Sequence, residues 1–303
     1  MQLSRSLLIE DAILRAKTNI QNKISPRDLN KRTSSYPFLC PDTYLEYCEI
    51  SILNDGDLEN FIEKTSNTKK FESLYIIGEL VNKLISKLNL LNNVRIEKII
   101  IMESDTKQEI ENLKNLHSIS DEIFSNNLVG IANKITPLPL GLERRAYRSA
   151  GVLSHFKSDF SIDPKKRNID FLIAWNDHTN PNRKIYRKQF SESGKGLVIN
   201  SRIDAKTIHR LMRKTLFVPS PAGNGLDCHR TWEAFYLGAI PVILKSEFCG
   251  DSSWPVLVIE NWDELTLLSR SELEKLYKDN SLTKSEILDF SHSIIKKVST
   301  NEK

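Results

Sequence analysis

The residues best suited to chemistry lie in one 29-residue stretch, LFVPSPAGNGLDCHRTWEAFYLGAIPVIL, which reads as strand, small-residue loop, helix and strand. Gly223 and Gly225 let backbone approach a ligand closely. The helix that follows directs unpaired N–H groups and partial positive charge at whatever occupies the loop, and phosphate is the natural occupant. Pro221, Gly223, Asn224 and Gly225 are therefore expected to form an anion-binding loop. At about 100° per residue, Asp227, Arg230 and Glu233 share one helical face, opposite Trp232, Phe235 and Tyr236. The aromatic face reads as core. On the polar face Arg230 offers a fork of donors to a phosphate, and Glu233, one turn on, can accept from ribose hydroxyls. The loop is neither the Walker lysine loop nor GxGxxG, which disfavours ATP hydrolysis and NAD binding.

Charge supports an anionic ligand. Residues 164–214 carry 13 Lys and Arg against 4 Asp and Glu, although the whole chain has a net charge of only +4. A solvated basic face would also account for this run. Nucleic acid fits less well, because no basic strand interleaved with aromatics accompanies the charge.

A transfer reaction would also need a base. Asp105 ranks first and Glu103 second, since both follow the strand VRIEKIIIM at its carboxyl end, where ligand-facing residues belong in a parallel sheet. A helix cap by Ser104 or Asp105 is the competing reading. Asp177 and His178 follow the strand NIDFLIAW in the same way. Asp55-Gly56-Asp57 has the D-x-D form of a metal–diphosphate site, but it sits in a turn sequence before a helical run that Asp57 would cap. The six histidines and four cysteines show no metal-ligand spacing, so neither metal nor cofactor is expected and the cysteines read as reduced thiols.

Two series of elements must position these residues. FESLYII, ELVNKLISKLNLL, VRIEKIIIM, TKQEIENLKNL, DEIFS and KITPLPL alternate strand and helix patterns. NIDFLIAW, NRKIYRKQFSES, GLVIN, DAKTIHRLMRK, TLFVPS, LDCHRTWEAFYL and AIPVIL repeat the alternation after a polar stretch. Asp204 should cap one helix and Gly238 end another. Alternation of this kind signals an α/β fold with parallel sheets. The expected division is an N-terminal domain over 1–160, a second over 161–285, and a C-terminal helix over 286–303 packing back on the first.

The pattern P-x-x-x-G-x-G-x-D-x-x-R-x-W-E-A-x-x-x-G-A-I-P-V-I resembles the donor-domain motif of exostosin-like glycosyltransferases and their bacterial relatives. The match covers residues 215–245, with a looser one over 168–187 that by resemblance makes Asn182 and Arg183 secondary candidates for phosphate contact, a solvated basic helix start being the alternative. The resemblance implies a GT-B-like fold, with two Rossmann-like parallel-sheet domains facing across a cleft. A nucleotide-sugar, of UDP type, would sit on the C-terminal domain, with Arg230 on the diphosphate and Glu233 on the ribose. A saccharide or lipid-linked saccharide acceptor would sit mainly on the other. The activity implied is transfer of a hexose or pentose in polysaccharide biosynthesis; the alternative is a non-catalytic nucleotide-sugar-binding or scaffold protein.

Composition excludes other classes. With 40% hydrophobic and 27% charged residues the chain reads as globular rather than disordered. No apolar run approaches the roughly 18 residues of a membrane span. Residues 1–24 space apolar positions helically and include Glu10 and Asp11, unlike a secretion signal, so a cytoplasmic location is expected, compatible with peripheral contact at the inner face of a membrane.

Overall fold

The computed structural model describes residues 35–65, 69–144, 152–201 and 203–299. The helical reading of residues 1–24 lies outside them.

The N-terminal lobe opens with α1 (Pro41–Glu46), β1 (Ile50–Ile52), α2 (Asp55–Lys64), β2 (Lys69–Ile77), α3 (Val81–Ser86) and β3 (Val94–Met102). It continues through the short β4 (Gln108–Glu109), α4 (Ile110–Leu113), β5 (Ser120–Ser125), β6 (Leu128–Val129) and β7 (Ile135–Pro137). The main sheet runs β1-β2-β3-β5-β7, parallel throughout, while β4 and β6 pair separately. Successive side chains on a strand face opposite ways. Leu74, Ile76, Ile99, Ile101 and Ile123 accordingly pack with Leu58, Phe61, Val81 and Leu84 on one side. Tyr75, Ile100, Met102 and Phe124 turn to the other.

The second lobe contains α5 (Ser154–Lys157), β8 (Ile169–Ile173), α6 (Asn182–Glu192), β9 (Gly196–Val198), α7 (Ala205–Met212), β10 (Thr215–Pro219) and α8 (His229–Tyr236). These are followed by β11 (Ile240–Leu244), β12 (Leu257–Ile259), α9 (Asp263–Thr266), α10 (Arg270–Asn280) and α11 (Lys284–Val298). Its sheet is again wholly parallel, in the order β12-β11-β10-β8-β9. Phe171, Ile173, Phe217 and Leu244 pack under Phe190, Trp262 and Tyr277. Leu172 and Val218 point the opposite way, into the cluster that already holds Tyr75 and Ile100.

That shared cluster joins the lobes. It takes in Phe38 and Tyr44 at the start, Trp232, Phe235 and Tyr236 of α8, and Ile287, Ile294, Ile295 and Val298 of α11. The aromatic face of α8 is thus core, as its spacing predicts. The C-terminal helix reaches the first lobe directly: Lys98 Nζ donates to the carbonyls of Lys297 and Ser299 at 3.0 and 3.1 Å.

Local signals act where expected at two boundaries. The Asp204 side chain accepts from Thr207 N to cap α7, and Gly238 adopts φ +72° just after α8, the left-handed stop that L side chains disfavour. One expectation is corrected. Asn54, not Asp57, caps α2, because the Asn54 side chain accepts from Asp57 N while Asp57 Oδ2 accepts from Leu53 N. Nor does Ser104 or Asp105 cap a helix; Ser104 Oγ instead organises a turn with Thr106 and Gln108. No helix among the described residues is long and apolar enough to cross a membrane.

Candidate active site

In the second sheet, the chain goes from β8 out to β9 on one side and returns to β10 on the other. Such a reversal opens a crevice beyond the carboxyl ends of the two central strands, the usual ligand position in open parallel sheets. The residues that follow β8 and β10, 174–180 and 220–228, are therefore the loops at that crevice.

Arg183, on the first turn of α6, ties these two loops together. Its Nε donates to Ala222 O at 2.9 Å, and Nη1 to Asn176 O and Thr179 Oγ1 at 3.2 and 2.8 Å. Nη2 donates to Pro221 O at 2.8 Å and to Cys228 Sγ at 3.3 Å. A guanidinium has five N–H donors, and all five are committed. The expectation that Arg183 holds phosphate is corrected: it is a buried clamp on the loop. Nearby, Arg187 is similarly occupied, with Nε at 2.9 Å from Asp177 Oδ2 and Nη1 on Ile199 O at 2.9 Å.

The glycines are small for a different reason from the one their spacing suggests. A Cβ at Gly225 would lie 2.4 Å from Asn127 Nδ2, and one at Gly223 would lie 3.0 Å from Arg183 Nη2. The close approach is to the protein itself. Pro221 is likewise buried, with its carbonyl on Arg183. Asn224 is exposed, and its Nδ2 donates across the lobes to Asp105 Oδ2 at 3.3 Å.

Asp227 is also corrected. Helix α8 begins at His229 with Cys228 as its N-cap, so Asp227 precedes the helix and the 100° spacing does not apply to it. Its carboxylate turns inward, accepting Leu140 N at 2.8 Å and Trp232 Nε1 at 2.9 Å, while its own N–H donates to Asn127 Oδ1 at 2.7 Å. Burial lifts its pKa to about 6, against the lowering effect of those hydrogen bonds.

Arg230 is the exception among these cations. Its Nε is buried, and the side chain makes no hydrogen bond or ion pair with any described residue. Burial pushes its pKa down; Glu233 opposes that shift, and the positive charges of Arg183 and Arg187 add to it. Glu233, 8% exposed, lies 3.5 Å from His209 Nε2, and His209 Nδ1 is in turn 2.9 Å from His155 Nδ1. Burial works against the charge on Glu233, yet His209, Arg230 and His229 together hold its carboxyl below the ordinary range. Arg230 and Glu233 thus remain neighbours, as their spacing predicts.

Across the lobes, Glu103 adopts φ +60°, a conformation that side-chain-bearing residues rarely take, at the end of β3. Its oxygens accept from Tyr75 Oη at 2.5 Å and Arg144 Nη1 at 2.6 Å. Burial, with the Glu103 charge and hydrogen bond adding to it, raises the Tyr75 pKa far above its ordinary value, so Tyr75 stays a donor. Glu103 is therefore engaged on both oxygens, which disfavours it as a base. Asp105 is exposed; its carboxylate accepts from Asn224 Nδ2, and its N–H lies 3.4 Å from Glu79 Oε1.

Two residues at this junction carry no motif of their own. His229, the first residue of α8, has Nδ1 at 2.8 Å from Gly141 O and Nε2 at 3.3 Å from Glu143 Oε1. Glu143 lies in a charged run after β7, and nothing in its spacing points to the cleft. The His155–His209 contact is equally silent in the sequence, since 54 residues separate the pair.

The class defined by fold and crevice is an α/β protein with two wholly parallel five-stranded sheets and, on the helix that follows the loop after β10, a half-buried arginine whose buried Nε has no hydrogen-bond partner among the described residues. No protein-family model matches the chain, and no curated protein matches it either.

Proposed function

We propose that the chain is a glycosyltransferase of GT-B-like arrangement that moves a sugar from a UDP-type nucleotide-sugar to a saccharide or lipid-linked saccharide acceptor. The observation that carries this reading is Arg230. A guanidinium with a buried, unsatisfied donor costs stability unless an anion completes it, and a diphosphate offers the charge and acceptors required. Glu233 beside it, its carboxyl held below the ordinary range by His209 and Arg230 against the effect of burial, can accept from ribose hydroxyls. Loops from both sheets converge here, with Asn224 against Asp105 and His229 against Gly141, so an acceptor on the N-terminal lobe would meet a donor on the other. A leaving diphosphate would find Arg230 already in place. By this reading the protein works in the cytoplasm, where nucleotide-sugars are at hand.

Thermal-shift titration with UDP-, GDP- and CMP-sugars tests it. A UDP compound should raise the melting temperature of the wild type, and Arg230→Met should remove that rise. Equal shifts in both proteins would move the donor elsewhere. Donor binding without transfer across a panel of saccharide acceptors would leave nucleotide-sugar binding as the function.

A further inference from the structure

We propose that Glu143 is the general base that activates the acceptor hydroxyl, and that His229 positions it; the assignment rests on the glycosyl-transfer reading above.

The other acidic side chains at the junction are occupied. Glu103 accepts from Tyr75 and Arg144, Asp42 lies 3.4 Å from Arg144 Nε, Asp177 is paired with Arg187, and Asp227 is sealed inside. Asp105 is exposed to water, and among the described residues its carboxylate has a single hydrogen bond, the 3.3 Å contact with Asn224. Glu143 combines orientation with access. Its Oε1 accepts Arg144 N at 3.0 Å and faces His229 Nε2 at 3.3 Å, while Oε2 has no hydrogen-bond partner among the described residues. The side chain is 21% exposed, enough to meet a substrate and too little to be freely rotating in solvent.

Its support is rigid. Gly141 takes φ +75°, and a Cβ there would lie 2.2 Å from Leu39 O, so the loop that carries Glu143 is locked to the first turn of the lobe. Leu142 N donates to that same Leu39 oxygen at 2.7 Å, which fixes the loop at the residue next to Glu143. The His229 ring is held between two contacts, Nδ1 on Gly141 O and Nε2 toward Glu143 Oε1, so it fixes where that carboxylate points. That ring stands on α8 immediately before Arg230, the residue assigned to the diphosphate.

In the reaction, the acceptor oxygen forms a bond to the anomeric carbon as its proton passes to Glu143 Oε2. The bond from that carbon to the diphosphate oxygen breaks, and its electron pair leaves with the nucleoside diphosphate, whose charge Arg230 holds. Glu143 then releases the proton to water. A single displacement of this kind inverts the anomeric configuration.

Glu143→Gln should keep the UDP-sugar thermal shift and lower transfer by at least about 100-fold. Glu143→Asp, which retains the acid but shortens its reach, should fall between, and it serves if the glutamine variant does not fold. His229→Leu should lower kcat with donor KM unchanged, and His229→Gln, which keeps a donor toward the carboxylate, should recover part of the loss. Transfer by Glu143→Gln within fivefold of wild type, or a product that retains the donor configuration, overturns the base assignment alone. A wild type that binds no nucleotide-sugar overturns both it and the reading on which it rests.

Discussion

Asp227 Oδ2 accepts the backbone N–H of Leu140 at 2.8 Å, joining the loop after β10 to the loop after β7 across 87 residues of sequence. The aspartate in the glycine-rich motif is therefore a strut between lobes. Trp232, which donates to the same carboxylate, is fully buried in the core cluster that both lobes share, so polar and apolar contacts lock the same junction.

This buried acid gives a pH signature. Its folded pKa of about 6 lies above the value of 3.8 expected when exposed, so the native state binds more protons than the unfolded state between those limits. Its contribution is full below the unfolded pKa and is lost as pH rises through the folded one, by about 3 kcal/mol. Urea unfolding of wild type and Asp227→Asn at pH 4, 5, 6 and 7 should show the wild type losing stability relative to the variant across this window. A constant difference would contradict the assignment.

The two central arginines should respond oppositely to the same change. Arg183→Met strands three carbonyls that the guanidinium now satisfies and should cost roughly 3 kcal/mol. Arg230→Met removes a half-buried guanidinium whose Nε is buried without a hydrogen-bond partner, and should raise stability by about 1 kcal/mol while abolishing nucleotide binding. Chemical denaturation without ligand separates the two.

Glycine substitutions should rank by what surrounds them. Gly141 and Gly194 both have positive φ, +75° and +70°. A Cβ at Gly141 collides with the Leu39 carbonyl, whereas at Gly194 it meets nothing within 4 Å. Gly194→Ala should therefore cost about 1 kcal/mol, and Gly141→Ala more than about 3 kcal/mol. Melting temperatures of the two variants are sufficient to check this.

The His155–His209 pair should be visible by NMR. Burial lowers the pKa of His155 to about 4, and the nearby His209, Lys206 and Arg213 charges add to that shift against a pull from Asp204. The folded value lies below the ordinary 6.5, so the associated stability is present above 6.5 and is lost as pH falls toward 4. Its ring signals should remain those of the neutral form at pH 5.5. Titration near 6.5 would show that the contact with His209 is not held in solution.

Much of the fold is legible in local periodicity. LFVP within TLFVPS and the whole of AIPVIL are uninterrupted apolar runs, and they form the body of β10 and β11, buried on both faces inside a parallel sheet. NIDFLIAW, GLVIN, VRIEKIIIM and DEIFS likewise become strands, and Asp204 caps α7 through its own side chain. Such signals reach only a few residues, and so does the adjacency of Arg230 and Glu233 on one helix.

What the residues do at the site depends on partners that no local pattern contains. Asp227, Arg230 and Glu233 have helical spacing, but α8 starts only at His229, which frees Asp227 to turn into the junction. Arg183 carries the same fork of donors as Arg230; it is spent on the loops after β8 and β10, and Arg230 is not. The space at Gly225 is filled by Asn127, about a hundred residues earlier in the chain, and Glu143 meets His229 only because a left-handed Gly141 aims its loop at α8. Sequence by itself determined the two series of alternating elements and the parallel sheets they make, because 2.0- and 3.6-residue periods are properties of short segments. Only tertiary packing, within the second lobe for Arg183 and between the lobes for Asp227, decided which polar groups are satisfied, since a hydrogen bond depends on distance in space rather than separation along the chain.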